Sequence, residues 1–218
     1  YYPGDNKDMA RKTAERAASV LNYFSCQFGS YPYEEFKVVF VPMQGFHGME
    51  YSGLIYLREE FLTPGYDEQR STFILAHEIA HQWWYGLVGN DQLREPWLDE
   101  GLANWSAYHC LAEQMGYQLP AMHNYTGDIN LSKELRDMYS TQDYYLTAYT
   151  GGEAFWFGLE KELGHEAVIK VLRRYLADYK QKIASTSDLL QTIKIEANRD
   201  METYFQKWFP QGVNLDDK

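Results

Sequence analysis

The sequence predicts an α+β fold, in which a helix and a small sheet are followed by a mainly helical part. Two short runs rich in β-branched and aromatic residues, which are typical of strands, come early in the chain of 218 residues. Helical spacing of apolar residues precedes and follows them, and from residue 149 onward it is nearly continuous. We therefore expect a single domain over residues 1–218, with a helix and the sheet in 1–66 and mainly helices in 67–218.

The first helix and the strands are predicted from local patterns. Apolar residues recur at helical spacing over 8–28, and Gly29 is a suitable terminator. Strands are expected over 36–41 and 51–57, where Gly53 would mark a bulge or a close approach of backbone.

The rest of the chain is predicted to be helical, except for residues 117 to about 147. That stretch is polar, Tyr-rich and poorly periodic, and it is expected to be loop with short helical turns. Asp67 is a suitable N-cap for a helix that continues to about Tyr85. A second long helix is expected just after Pro96, and it should end at Gly116. Four further helices are predicted, over 149–163, 166–180, 186–198 and 200–209.

The charge and the cysteines limit the possible partners. The formal net charge of −11 argues against a nucleic acid or an anionic membrane as partner, because both attract basic patches. No apolar run is long enough to span a bilayer, so no transmembrane segment is expected. Cys26 and Cys110 lack metal-ligand spacing and are expected to be buried free thiols.

The first residue of the sequence suggests that the chain comes from a longer protein. Because the chain begins with Tyr1 rather than Met, we expect it to be a processed or excised piece of a longer protein. Its compartment stays open, with an extracytoplasmic location among the possibilities.

The segment His77-Glu78-Ile79-Ala80-His81 has the H-E-x-x-H pattern. Residues four apart on an α-helix lie about 40° from each other around its axis, so both imidazoles can bind one ion. Glu78 lies at the edge of the same face, where its carboxylate can reach an attacking water. The preceding residues 72–76 are apolar, which favours a buried helix.

A catalytic zinc needs a third protein ligand and an open fourth position. Glu100 lies in an apolar helical setting, and buried acids are rare unless they are paired or bind a metal. The alternative is that His77 and His81 are core histidines with satisfied hydrogen bonds and that Glu100 is an acid at a helix start. The remaining histidines are expected on the surface or in local hydrogen bonds: His47, His109, His123 and His165.

These residues resemble the M1 family of zinc aminopeptidases, which belongs to the gluzincins. In that family eighteen residues separate H-E-x-x-H from a glutamate, as they separate His81 from Glu100 here. Residues 77–83 and 97–101 resemble the two signature blocks of the family. The resemblance runs from the first helix to about Pro210.

Two further segments carry the resemblance. Gly48-Met49-Glu50 resembles the second half of the G-x-M-E-N motif of the family. Residues 149–152, followed by an apolar helix, resemble the segment that supplies the catalytic tyrosine of the family.

The resemblance implies a thermolysin-like metallopeptidase catalytic domain with a mainly helical C-terminal lobe. It implies one Zn²⁺ per chain, with His77, His81 and Glu100 as ligands. Glu78 is then the general base, and Tyr149 donates a hydrogen bond to the oxyanion that forms during hydrolysis. Asn104, four residues after Glu100, would support that ligand.

The resemblance also implies how substrate is bound. Gly48, Met49 and Glu50 would hold a peptide that adds a strand to the sheet, with the Glu50 carboxylate on the free α-amino group. Tyr51 and Asp99 stand where the family usually has Asn, which favours a bacterial-type Met-Glu-Tyr variant.

The expected activity is therefore hydrolysis of the N-terminal peptide bond of peptides with a free N-terminus. The alternatives are a zinc endopeptidase of the same fold and a peptidase-like domain that serves as a non-catalytic binding or scaffold module. The N- and C-terminal domains of the family are not in this sequence and are expected in the full-length protein.

Overall fold

A computed structural model of the protein describes residues 6–119 and 129–215. These residues divide into two compact units. The first unit comprises 6–86 and 106–119, and the second comprises 87–105 and 129–215. His123 lies outside the described residues.

The helices of the first unit pack through apolar stripes. Helix α1 (Lys7–Phe28) packs against helix α2 (Glu68–Ala80) and buries Val20 and Phe24 completely. Helix α1 ends at the predicted residue, where Gly29 has a φ of +113°.

The sheet has three strands in the order β1-β3-β2. They are β1 (Lys37–Val41), β2 (Gly48–Tyr51) and β3 (Leu54–Arg58). Strand β1 pairs with β3 in parallel, and β2 pairs with β3 antiparallel, so that Gly48 lies opposite Leu57. Among the described residues β2 has a strand neighbour on one side only, which leaves its other edge open.

The prediction of one strand over 51–57 is wrong. The segment is a hairpin, in which Ser52 and Gly53 form the turn between β2 and β3. Gly53 has a φ of +74°, a backbone conformation that glycine adopts readily and that reverses the chain here instead of bulging a strand. A short 3₁₀-helix, Glu59–Leu62, follows β3.

Helix α2 begins as predicted and ends early. The Asp67 carboxylate accepts from the backbone N–H of Arg70 at 3.0 Å, which confirms the N-cap. The helix ends at Ala80 rather than Tyr85, because the chain turns back and the N–H of Gly86 donates to the carbonyl of His81 at 2.8 Å. Tyr85 in this turn has a φ of +101°, which is incompatible with a helix.

Helix α3 (Trp97–Met115) matches its predicted bounds within one residue at its C-terminus. Its residues 97–105 belong to the second unit and 106–115 to the first. Cys110 on this helix is buried, as predicted, but the other cysteine, Cys26, is exposed, so the prediction of two buried thiols is wrong for that residue.

The second unit is helical throughout the described elements. After a 3₁₀-helix (Leu135–Asp137) and a short helix α4 (Thr141–Tyr144), the chain forms a π-helix over Tyr145–Gly151. Four α-helices follow: α5 (Gly152–Leu163), α6 (His165–Tyr179), α7 (Thr186–Ala197) and α8 (Glu202–Gln206). Ser185 and Asp188 form a capping box at the start of α7.

The predicted α+β class is confirmed, with one small sheet and a predominance of helices. Within the described residues, no helix combines the length and the apolar character that crossing a membrane would require.

Candidate metal centre

Helix α2 brings the two histidines of the H-E-x-x-H segment together. The Nε2 atoms of His77 and His81 lie 3.2 Å apart, and both side chains are buried. The helical spacing predicted from the sequence therefore places the two imidazoles in contact in the last turn of α2, with their ring planes 84° apart.

A backbone carbonyl orients His81. Its Nδ1 atom lies 3.0 Å from the carbonyl oxygen of Trp84, and because a carbonyl only accepts, Nδ1 carries the hydrogen. A neutral imidazole with its hydrogen on Nδ1 has its lone pair on Nε2, which is the form that a metal ion needs. The Trp84 indole in turn donates to Ser106 Oγ at 3.0 Å.

Strand β2 lies directly on Glu78. A Cβ atom at Gly48 would overlap Oε1 of Glu78, so only a glycine allows this approach. The Glu78 side chain is buried beneath the strand.

Glu50 also lies close to the Glu78 carboxylate. One carboxylate oxygen of Glu50, one of Glu78 and a ring nitrogen of His81 all lie within 4.8 Å of one another. Two carboxylates this close repel each other unless a cation compensates them. The arrangement therefore favours binding of a positively charged group between Glu50 and Glu78.

Gln82 fixes the hairpin to the end of α2, a role that the sequence analysis did not assign. Its side-chain amide donates to the Tyr51 carbonyl at 2.9 Å and its Oε1 accepts from the N–H of Gly53 at 2.8 Å. Both bonds lie at the turn between β2 and β3, so Gln82 sets the position of the Glu50 strand relative to His81.

In the second unit, two tyrosine hydroxyls approach Glu100. The Tyr149 hydroxyl donates to Oε1 of Glu100 at 2.6 Å, and the Tyr144 hydroxyl donates to the same oxygen at 3.4 Å. Burial and the Glu100 charge raise the pKa of Tyr144, so this hydroxyl keeps its proton. Tyr144 was not predicted, because nothing in a Tyr-rich stretch singles it out.

Tyr149 belongs to the π-helix. Such segments are rare and occur often at functional sites, because the wider turn changes the direction of the side chains that follow. The sequence analysis predicted the residue but not this backbone.

Glu100 and Tyr149 are placed by a contact between two glycines. A Cβ atom on Gly101 would lie 2.5 Å from Cα of Gly152, so α3 and the start of α5 cross backbone to backbone. Glu100 directly precedes one glycine, and the other directly follows the π-helix.

Asp99, which stands where the resembled family has Asn, is buried and receives two amide donors. Asn90 donates to its Oδ1 atom at 3.0 Å and Gln92 donates to its Oδ2 atom at 2.7 Å. These bonds compensate the buried carboxylate beside Glu100. Asn104, expected to support Glu100, donates to Oε2 of Glu153 at 2.8 Å.

Comparisons with known proteins identify the family. The peptidase family M1 domain matches residues 12–208. Aminopeptidase 2 of Candida albicans is 27% identical over an alignment 232 residues long, which covers 94% of this chain and 24% of that protein. Glutamyl aminopeptidase of Bos taurus is 25% identical and covers 97% of this chain and 24% of that protein. The chain thus spans about a quarter of the length of these relatives.

Solved structures show the same fold. An M1 zinc metallopeptidase from Deinococcus radiodurans superposes with a TM-score of 0.70 at 23% identity, covering 93% of this chain and 45% of that one. A mutant of that metallopeptidase with a bound Tyr-Ser-Ala substrate superposes with a TM-score of 0.70 at 21% identity, covering 93% and 44%.

Proposed function

We propose that this chain, which belongs to peptidase family M1, is the catalytic part of a zinc aminopeptidase. The substrate would be a peptide with a free N-terminus, and the reaction would be hydrolysis of its first peptide bond. The relatives reported above are named aminopeptidases, which supports this activity class. The observation that carries the proposal is the closeness of Glu50 to Glu78, because it sets a site for a cationic amine beside a candidate base.

We propose His77, His81 and Glu100 as the ligands of one Zn²⁺. Two imidazoles and one carboxylate form a ligand set that catalytic zinc uses. The hydrogen bond from His81 Nδ1 to the Trp84 carbonyl supports this role, because it leaves the lone pair of Nε2 available to bind the metal. When bound, the zinc ion polarises the scissile carbonyl and lowers the pKa of water toward about 7.

Glu78 acts as the general base in this proposal. It removes one proton from the water that attacks the carbonyl carbon, and it delivers that proton to the amine that leaves when the C–N bond breaks. Its burial beneath Gly48 supports the role, because a fixed carboxylate needs little rearrangement at the moment of reaction.

Glu50 limits cleavage to the first residue. Its carboxylate binds the α-ammonium group of the substrate through a charge-assisted hydrogen bond. The open edge of β2 supports this binding mode, because an extended peptide can pair there as an added strand, with Met49 and Gly48 beside it.

Tyr149 donates a hydrogen bond to the oxyanion formed from the scissile carbonyl. The placement of its hydroxyl 2.6 Å from a proposed metal ligand, Glu100, supports this role.

One assay tests the activity. Hydrolysis of aminoacyl reporter amides is compared with hydrolysis of N-acetylated peptides, with and without a metal chelator. We expect cleavage of the free-amine substrates alone, with loss of activity in chelator and recovery with added zinc. Cleavage of the blocked peptides would instead indicate an endopeptidase, and zinc binding without turnover would indicate a scaffold.

A further inference from the structure

A positively charged group lies at the start of β2, just before Gly48. A guanidinium nitrogen of Arg70 lies 2.9 Å from Nε2 of His47, and one of Arg58 lies 3.5 Å from Nδ1 of the same ring. The N–H of Arg58 also donates to the carbonyl of His47 at 3.1 Å, which ties this residue to β3.

The charges in this group do not cancel. Glu60 accepts from Arg58 at 2.9 and 3.1 Å and so compensates that guanidinium. Burial and the two arginines lower the pKa of His47, which keeps the ring neutral. No carboxylate of the described residues pairs with Arg70, so its charge remains available to a ligand.

Arg70 lies on the same stripe of α2 as the histidines. Residues seven apart on a helix differ by only about 20° around its axis, so Arg70 and His77 share a face. Their Cα atoms are separated by about 10 Å along the axis. Phe73 lies between them and is only half-buried, with its ring 6.4 Å from that of His77.

Strand β2 runs beside α2 in the same direction. Glu50 approaches Glu78 and His81, Gly48 lies on Glu78, and His47 contacts Arg70. The strand therefore has an acidic side chain at Glu50 and, at His47, a contact with the positively charged Arg70. His47 and Glu50 lie about 10 Å apart at the usual rise per residue.

The open edge of β2 gives a direction to a bound peptide. Along an antiparallel strand, the residues that hydrogen-bond to the partner strand alternate with residues whose backbone groups face away from it. The N–H of Arg58 donates to the His47 carbonyl, so His47 faces β3. The backbone N–H and C=O groups of Gly48 and Glu50 therefore face the open edge. An antiparallel peptide with its α-amino group at Glu50 extends toward Gly48 and then His47. At about 3.3 Å per residue, its third or fourth residue reaches Arg70.

We infer that Arg70, oriented by His47, binds a carboxylate carried by the third or fourth residue of the substrate. This carboxylate is either the C-terminus of a tripeptide or tetrapeptide or an acidic side chain of a longer peptide. The inference rests on the proposed aminopeptidase function and on the position of Glu50 within it.

Two kinds of substrate pair test the inference with the zinc-loaded protein. The first kind is tri-alanine or tetra-alanine, each compared with its C-terminal amide, and the second is an octapeptide with Glu or Gln as its third or as its fourth residue. For at least one pair we expect kcat/KM to be about three- to tenfold higher with the carboxylate, mainly through KM, since a partly exposed charge-assisted contact contributes modestly. The pair that responds identifies the source of the carboxylate.

Variants of Arg70 separate recognition from structural damage. Arg70→Gln should bring the ratio within each pair close to one, whereas Arg70→Lys should keep part of it. A general loss of structure would lower both members of a pair equally and leave the ratio unchanged. Arg11→Gln is the matched control, because Arg11 is an exposed arginine of the same unit, and it should leave both ratios as in the wild type.

The outcomes distinguish the two proposals. If the wild type cleaves aminoacyl reporter amides but prefers the carboxylate in none of these pairs, this inference is wrong and the aminopeptidase function stands. If the ratio of kcat/KM values within a pair is the same in Arg70→Gln as in the wild type, this inference is likewise wrong and the aminopeptidase function stands. If the wild type cleaves no free-amine substrate, the proposed function fails and the inference fails with it.

Discussion

Gly101 and Gly152 meet so closely that a Cβ atom on either would overlap the backbone of the other. The added atom would lie 2.5 Å from Cα of Gly152 in one case and 2.6 Å from Cα of Gly101 in the other. Both neighbours are backbone atoms, so no side chain can rotate away to make room. The contact fixes α3 against α5, and with it the distance between Glu100 and the π-helix that carries Tyr149.

Substitution of either glycine by alanine should therefore destabilise the protein. Gly101→Ala gains about 1 kcal/mol of helix propensity, but forced separation of two packed backbones should cost about 2–3 kcal/mol, for a net loss of about 1–2 kcal/mol. Urea unfolding followed by circular dichroism measures the change. Ala177→Ser, on an exposed face of α6, is the control and should change stability by less than about 0.5 kcal/mol. Equal stability of Gly101→Ala and the wild type would contradict the described crossing.

Glu78→Gln should keep zinc and lose nearly all hydrolysis. The amide preserves the shape of the side chain but cannot accept the proton from water, so kcat should fall about 10²–10⁴-fold. Zinc content by atomic absorption and turnover of an aminoacyl reporter amide are measured on the same sample. A variant that contains zinc and remains active would rule out Glu78 as the base.

Gly48→Ala should impair catalysis through Glu78. The added methyl would occupy the space of the Glu78 carboxylate, which has to move, and a displacement of about 1 Å in a catalytic group can cost about 10²-fold in rate. Because the end of a side chain can move more easily than backbone, the stability loss should be smaller than for Gly101→Ala. Gln44→Ala, exposed in the preceding loop, serves as the control and should retain activity. Full activity of Gly48→Ala would show that the contact is unimportant.

Glu50→Ala should discriminate between free and blocked substrates. Loss of the carboxylate removes a charge-assisted contact with the α-ammonium group, so kcat/KM for a free-amine peptide should fall about 10–100-fold. The residual cleavage of the corresponding N-acetylated peptide should hardly change. Parallel kinetics on the two peptides measure the ratio, and an equal loss on both would exclude the role of Glu50 as amine anchor.

Tyr149→Phe and Tyr144→Phe form a matched pair, because both hydroxyls contact the same oxygen of Glu100. If Tyr149 alone donates to the oxyanion, Tyr149→Phe should lower kcat about 10²–10³-fold, as removal of an oxyanion donor does in other hydrolases. Tyr144→Phe should cost less than about tenfold, since it removes only a long hydrogen bond. Single-turnover rates separate these effects from product release. A larger loss in Tyr144→Phe would reverse the assignment.

Local sequence pattern was sufficient to predict most helices and the two histidines of the candidate site. The spacing of apolar residues in α1 and the cap at Asp67 are local properties, and the structure confirms both. His77 and His81 meet because four residues separate them on a helix, which depends on no other part of the chain.

The remaining features depend on contacts that the sequence pattern does not show. The hairpin at Gly53 requires Gln82, 29 residues away, to bond both sides of the turn. The helix cannot extend to Tyr85 because that residue has a positive φ, which no residue preference signals. Tyr144 and the contact between His47 and Arg70 likewise appear only when distant segments of one unit have been brought together.

The hydrogen bond between His81 and the Trp84 carbonyl spans three residues, whereas the one between Tyr149 and Glu100 spans 49. A short span costs little loop-closure entropy, and a long one must be closed by the folding of the segments between. The imidazole pair can therefore become oriented as soon as α2 and its terminal turn form. The carboxylate and its tyrosine partner assume their geometry later, when α3 and α5 have docked. Damage to the folding of the second unit would accordingly leave both histidines oriented, while Glu100 would lose its tyrosine partner.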